Sequence, residues 1–209
     1  MNSIIQKLKN EGNLRLYLDF RSGDCTDRSG NGYNGTPSSG CTFGRDGIYF
    51  NTVDYVTVAD AVPLRLTTGT IVCLGKFAIQ ADNLVIYDKR NAGGTNVNVF
   101  ITTVGVLTWN GATTSTCGCS TKQSKCISLG FVSGTKPLAY VNGVYVAEGG
   151  LSQTYTADDA DITIGKYYTG TYPFQNWMSA ILLIARVLTA TEHALLFYEL
   201  ENTKFERSI

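Results

Sequence analysis

Few residues of this chain could do chemistry, and they are scattered. The densest set of hard oxygens lies in "DCTDRSGNGYNG", where Asp24, Asp27, Ser29, Asn31 and Asn34 fall within one short stretch. Carboxylate and amide oxygens are what calcium takes, so Asp24, Asp27 and Asn31 are the candidate metal ligands. Their spacing is not that of an EF-hand loop, and no glutamate stands where its bidentate ligand would be. Short polar side chains also close Asx turns on their own backbone. That reading is favoured, so no cofactor is expected and calcium is the one ion kept in view. In the same stretch Gly30, Gly32 and Gly35 spell G-x-G-x-x-G. A dinucleotide-binding loop would open a helix there, whereas "TPSSG" follows, so a turn between strands is expected.

The single histidine, His193, follows Thr189-x-x-Glu192, a capping-box pattern at a helix start. Nucleophilic catalysis would need it in a cleft; an exposed or rim position in a first helical turn is expected instead. Cys117-Gly118-Cys119 with Cys126 beyond is a sparse set for zinc. Glycoside hydrolysis needs two facing carboxylates. The available ones are Glu192, Glu199 and Glu201 on the terminal helix, Glu148 after a hairpin, and Asp158, Asp159 and Asp161 in a turn read as solvated. The chain is therefore expected not to be an enzyme. Aromatic side chains are the richer resource. "KYYTGTYPFQNW" carries Tyr167, Tyr168, Tyr172, Phe174 and Trp177 in or beside one loop, and Trp109 ends "VGVLTW". Exposed rings suit glycan stacking or a protein interface; the competing reading is that half of them close the core.

The elements that must position these residues are mostly strands. "LRLYLDF" alternates Leu14, Leu16 and Leu18 with Arg15, Tyr17 and Asp19, as a half-buried strand does. "GIYF", "YVTVA", "GTIVCLGKF", "NLVIYDK", "NVNVFITTVGVLTW", "CISLGFV", "DITIGKYY" and "WMSAILLIARVL" read as further strands. "YVNGVYV" places Asn142-Gly143 between two such runs, a strong hairpin signal. One convincing helix, "TATEHALLFYELEN", comes late. Many short strands with one terminal helix predict an all-β fold, a two-sheet antiparallel jelly-roll sandwich with a short C-terminal helix. Residues 1–12 read as an N-terminal arm, 13–202 as the domain and 203–209 as a tail. Basic and acidic residues balance at 17 each in 209 residues, which removes the electrostatic case for nucleic acid. No run is long enough to span a bilayer, and "MNSIIQKLKNEG" lacks the apolar core of a signal peptide, so synthesis in a cytoplasm is expected.

The order of these motifs resembles the laminin G-like and pentraxin-like jelly rolls of the concanavalin A type. "DRSGNGYNG", "GIYFNTVDYVTVAD", "CISLGFVSGTKPLAYVNGVYV" and "ITIGKYYTGTYPFQNWMSAILLIARVLTATEHALLFYE" carry the resemblance, over roughly residues 14–200. It implies that Cys73 and Cys126 lie close, where such domains carry a disulfide between neighbouring strands; a cytoplasmic start favours thiols. Cys25 and Cys41 bracket the opening loop as another candidate pair. The Glu-x-Asp-x-x-Glu string of the resembling β-glucanases is absent. At the places of the pentraxin calcium ligands, Gly93 to Asn96 and Gly165 to Gly170, only Asn96 is an oxygen ligand of the right kind.

"DKRNAGGTN" and "FYELENTKF" resemble laminin G-like domains that recur in tailed-phage structural proteins. The resemblance implies a non-catalytic virion protein: a capsid decoration, head-fibre or tail component made in the host cytoplasm. Its partners would be other virion proteins or itself as a homo-oligomer, and surface glycans, without membrane insertion. A free lectin-like module is the alternative.

Overall fold

The computed structural model describes residues 3–77, 83–90, 97–102, 106–109, 112–116, 124–156, 159–167 and 173–206, with the backbone alone at 106, 109, 112–116, 124–125 and 203–206. A helix, α1 (Ile4–Asn10), precedes β1 (Leu14–Asp19), β2 (Gly35–Pro37), β3 (Thr42–Gly44), β4 (Gly47–Tyr49), β5 (Val56–Val58) and β6 (Thr68–Lys76). Then come β7 (Leu84–Asp88), β8 (Asn98–Ile101), β9 (Val106–Trp109), β10 (Ala112–Thr116), β11 (Ser124–Val132), β12 (Leu138–Val141) and β13 (Val144–Glu148). β14 (Ile162–Ile164), β15 (Trp177–Ile184) and α2 (Ala190–Glu206) complete the chain.

These strands form an all-β, two-sheet antiparallel sandwich of the jelly-roll kind. One sheet has eight strands in the order β13-β12-β11-β6-β15-β4-β3, with β1 also on β15; the other has seven, β10-β9-β8-β7-β14-β5-β2. β1 takes the Ala180–Ile184 part of β15 and β4 its Trp177–Met178 end. Between the sheets lie Leu16, Leu18, Val56, Ile71, Ile86, Val99, Ile127, Ile164 and Ile181. Phe174 meets Phe50 and Phe77 edge-on at 5.9 and 5.6 Å, the offset geometry that ring quadrupoles favour.

A second apolar layer covers the outer face of the eight-stranded sheet. Ile4 and Leu8 of α1 and Leu196 and Leu200 of α2 pack on Leu14, Tyr17, Val72, Leu74, Leu182 and Ile184. β6 and β15 therefore bury both faces, which is why "TIVCLG" and "AILLI" read as unbroken apolar runs rather than alternating ones. β1 departs from the half-buried strand expected. Leu16 and Leu18 enter the inter-sheet core, but Tyr17 and Asp19 are buried too, on the helix side. Asp19 is paired with Arg21 at 2.7 Å, and Arg21 donates to the Leu200 carbonyl of α2 at 2.7 Å, so the buried charge is compensated.

Residues 3–10, read as part of an arm, lie docked on the domain. Ser3 Oγ accepts from Gln6 N at the start of α1, and Ile4 N donates to Glu199 of α2 at 2.8 Å. Lys7 reaches Glu192 at 3.0 Å.

Candidate functional site

The opening loop uses its oxygens on itself. Asp27 accepts from Tyr17 N at 3.0 Å, Ser29 N at 2.9 Å, Tyr33 N at 3.0 Å and Ser29 Oγ at 2.7 Å. Asn31 donates to the Leu14 and Arg15 carbonyls, and Asp24 pairs with Arg28 at 2.8 Å. Gly30 and Gly32 adopt φ of +94° and +80°, the left-handed conformation that a tight turn needs. The G-x-G-x-x-G stretch thus seats the loop on β1. Among the described residues no group of three or more His, Cys, Asp or Glu could hold a metal ion.

His193 is not a rim residue. It is 2% exposed, because the first turn of α2 faces the sheet. Its Nδ1 shares a hydrogen bond with Ser128 Oγ at 2.8 Å, and its ring stacks on Tyr140. Burial pushes its pKa down to about 4, with a small opposing pull from Glu192. No carboxylate bonds it, so the orienting partner of a triad is absent from its described contacts. Two helix acids are structural: Glu199 accepts from Ile4 N, and Glu192 closes the capping box with Thr189 and binds Arg186 at 2.7 Å. Asp161 is exposed and accepts from Asp60 N; Asp158 lies outside the described residues.

Cys25, Cys41, Cys73 and Cys126 are free thiols. Cys73 and Cys126 do sit on adjacent strands, but the register pairs Cys73 with Ile127 and Cys126 with Leu74. That one-residue offset sends Cys73 into the inter-sheet core and Cys126 under the helices. Burial pushes the thiols of Cys25 and Cys126 up to about 12. Cys117, Cys119 and the 93–96 segment lie outside the described residues.

Tyr167 and Trp177 do not share one rim, since β14 belongs to one sheet and β15 to the other. Its members part company. Phe174 is core, and Tyr168 and Tyr172 lie outside the described residues, as does the side chain of Trp109, which ends β9. Trp177 emerges on the outer face of the eight-stranded sheet, at the end that the helices leave uncovered. There it is the register partner of Tyr49, with ring centroids 5.3 Å apart and planes tilted by 56°. The indole lies over Gly44: a Cβ at that position would come 2.6 Å from Trp177 Cη2. Tyr49 is 37% exposed. Lys76 and Asp46, paired at 2.5 Å, belong to the same end of the sheet, where Ser179 Oγ fixes the Asp46 carbonyl at 2.7 Å. Two partly exposed rings beside charged groups are the make-up of a sugar-stacking platform. Tyr49 was not singled out from sequence; its signal was an outward position in "GIYF" one residue after core-facing Ile48.

Tyr167 goes to the outer face of the seven-stranded sheet, where the Arg90 guanidinium stands 4.4 Å above its ring. On this face Thr36, Thr57, Thr163, Asp88 and Asn98 are successive register partners across β2, β5, β14, β7 and β8. Their strand neighbours Val56, Val58, Ile162, Ile164, Tyr87 and Val99 all enter the core, so the row faces outward. Arg90 is bound to Asp88 at 2.8 Å.

No protein-family model matches the chain, and no curated protein matches it. Solved structures do. Domain 4 of AbnA, an extracellular GH43 arabinanase of Geobacillus stearothermophilus solved with arabinotriose, superposes with a TM-score of 0.67 at 15% identity, covering 88% of this chain and 98% of that one. The binding domain of Paraclostridial Mosquitocidal Protein 1 gives 0.69 at 16% identity, over 92% and 53% of the two chains. Trypanosoma rangeli sialidase in complex with sialic acid gives 0.70 at 12% identity, over 91% and 33%. The chain thus spans nearly all of the first, about half of the second and a third of the third. Such likeness establishes the fold, and a concanavalin A-like sandwich fits all three.

Proposed function

We propose that the protein is a non-catalytic recognition module that binds carbohydrate through the Tyr49–Trp177 platform. The observation that carries this reading is the pair of rings itself, held open on an uncovered sheet end with Gly44 beneath the indole. A pyranose can lie on an aromatic face while its hydroxyls reach the neighbouring charged groups. The arabinotriose-bound and sialic acid-bound similar structures support the class of ligand. Asp24, Asp27, Asp46 and Glu192 are each committed to structural partners, which supports binding without catalysis. A glycan array of the purified protein, run with calcium and again with chelator, tests it. Calcium-independent binding of uncharged glycans that Trp177→Ala abolishes is the expected result; an array without uncharged hits, or uncharged hits that Trp177→Ala leaves intact, would overturn it.

The module's setting is proposed as a virion of a tailed phage, as an attachment or structural component such as a capsid decoration, head fibre or tail part. The observation behind this is the resemblance of "DKRNAGGTN" and "FYELENTKF" to phage laminin G-like domains. Co-sedimentation of the protein with gradient-purified particles is expected; its absence from every particle fraction would remove the virion setting and leave the lectin-like module.

A further inference from the structure

We infer that the outer face of the seven-stranded sheet is a second carbohydrate site, selective for a sugar that bears a carboxylate, with Lys166 as its counter-charge. The open half of the polar row supplies the floor. Thr36, Thr57 and Thr163 lie side by side on β2, β5 and β14 and are exposed or half-buried, whereas Asp88 and Asn98 at the other end are buried. Each hydroxyl both donates and accepts, and adjacent strands set them about 4.8 Å apart. That is a ladder suited to the alternating donors and acceptors of sugar hydroxyls.

Two cation–aromatic pairs involve residues next to these strands. Tyr55 immediately precedes β5, its backbone bonded to Ser38 just past β2; the Lys166 ammonium lies 4.4 Å from its ring centroid. Arg90, two residues beyond β7, covers Tyr167. The two cations differ in what neutralises them. Arg90 is matched by Asp88. Lys166 has no carboxylate within ion-pair distance among the described residues, and it is half-buried two residues beyond the end of β14. An ammonium held on a tyrosine face beside three hydroxyls is a place for an anion that also carries hydroxyls. A carboxylate on a sugar ring meets both demands at once, by a charge-assisted hydrogen bond to Lys166 and neutral ones to Thr57 and Thr163. Sialic and uronic acids share this chemistry. The site is independent of the Tyr49–Trp177 platform, because the two lie on the outward faces of opposite sheets.

Calorimetric titration of the full chain with 3′-sialyllactose and with trigalacturonate tests the assignment. Lactose and the methyl ester of trigalacturonate serve as uncharged partners. At least one acidic sugar is expected to bind, at least tenfold more tightly than its uncharged partner. Lys166→Gln, a polar replacement at a half-buried position, is expected to cost that sugar at least tenfold, and Thr163→Val to weaken it. Trp177→Ala should leave it unchanged, which separates this site from the platform whatever the fate of the first proposal. Which acid binds identifies the source of the carboxylate. No binding of either acid, equal binding of the uncharged partners, indifference to Lys166→Gln, or loss with Trp177→Ala would each overturn the second site.

Discussion

His193 lies on Tyr140 with ring centroids 3.7 Å apart and planes 16° from parallel. Tyr140 on β12 is the register partner of Ser128 on β11, and Ser128 Oγ shares the 2.8 Å hydrogen bond with His193 Nδ1. One imidazole therefore clamps α2 to a cross-strand pair of the eight-stranded sheet. Tyr145 of β13 packs edge-on against Tyr140 at 5.6 Å, closing the ring of neighbours. Glu192 is the acidic side chain acting on the imidazole, and burial outweighs it.

The first prediction is a pH dependence with a defined window. Burial holds the His193 pKa down at about 4 against an ordinary 6.5, so the unfolded chain takes up the proton first. Folding stability is then whole above pH 6.5, declines as pH falls toward 4, and levels off below it for this group. The loss between pH 7 and pH 5 should be about 2 kcal/mol. Urea midpoints at the two values measure it. His193→Phe keeps a stacked ring and removes the titration, so its midpoints should differ much less across that range; an equal decline in the variant would assign the pH effect elsewhere.

Glu192 supplies the second prediction. Arg186, then the Thr189 backbone N–H and Lys7, hold its carboxyl well below the usual carboxylate range. A depressed carboxylate stabilises above its unfolded pKa and ceases to as pH falls through the folded one, so this contribution fades below about pH 4.5, a separate window from that of His193. Glu192→Gln should cost about 2 kcal/mol and loosen α1, which Lys7 ties to this carboxylate at 3.0 Å. Hydrogen exchange should accelerate in residues 4–10 while β6 and β15 stay protected. Uniform acceleration, or none, would contradict a clasp confined to the two helices.

Local signals carried much of this fold. Asn142 and Gly143 take φ of 51° and 75°, the hairpin turn that their identities call for. Thr189 and Glu192 make the reciprocal capping bonds at 3.0 and 3.3 Å. β2 and β3 gave no such signal, since three-residue strands containing Gly35, Pro37 and Gly44 show neither length nor alternation. His193 was misplaced because a helix's own period tells which residues share a face, not which surface receives it. Here a sheet face took the helix and the imidazole with it. Trp177 was legible as an aromatic on a loop margin. Its partner Tyr49 was not, because only the β4–β15 register joins them. The same limit separates Cys73 from Cys126: strand adjacency was foreseen, the one-residue register that sets them on opposite faces was not.

The third prediction concerns those thiols. Cys25, Cys73 and Cys126 are buried, and burial pushes each thiol upward, Cys25 and Cys126 to about 12. A thiol, not a thiolate, is present at neutral pH, and attack by an alkylating reagent needs the thiolate. Native protein should therefore label slowly at these three sites. Denatured protein, with no reductant added, should label fully at Cys25, Cys41, Cys73 and Cys126. Peptide mass spectrometry reads both; a Cys73–Cys126 linked peptide would refute the opposite-face register.

The fourth prediction tests the platform through a residue that no ligand needs to touch. Gly44 lies under the Trp177 indole, and an added Cβ would meet Cη2 at 2.6 Å and Cζ3 at 2.9 Å. Since the obstruction is a side-chain ring on a partly open face, Gly44→Ala should tilt the indole rather than disrupt the strand. The Tyr49 contact at 5.3 Å would be lost at a cost of about 1 kcal/mol, so the melting temperature should fall by only a few degrees. The chain has two tryptophans, and placing the change in a Trp109→Phe background isolates Trp177 emission. A shift to longer wavelength, together with a glycan affinity at least tenfold weaker, is expected. An unshifted spectrum with weakened binding would mean that the ring had not moved and that the sugar rests on something other than its face. A shifted spectrum with intact binding would separate the indole from the ligand altogether and leave the seven-stranded face as the surface to pursue.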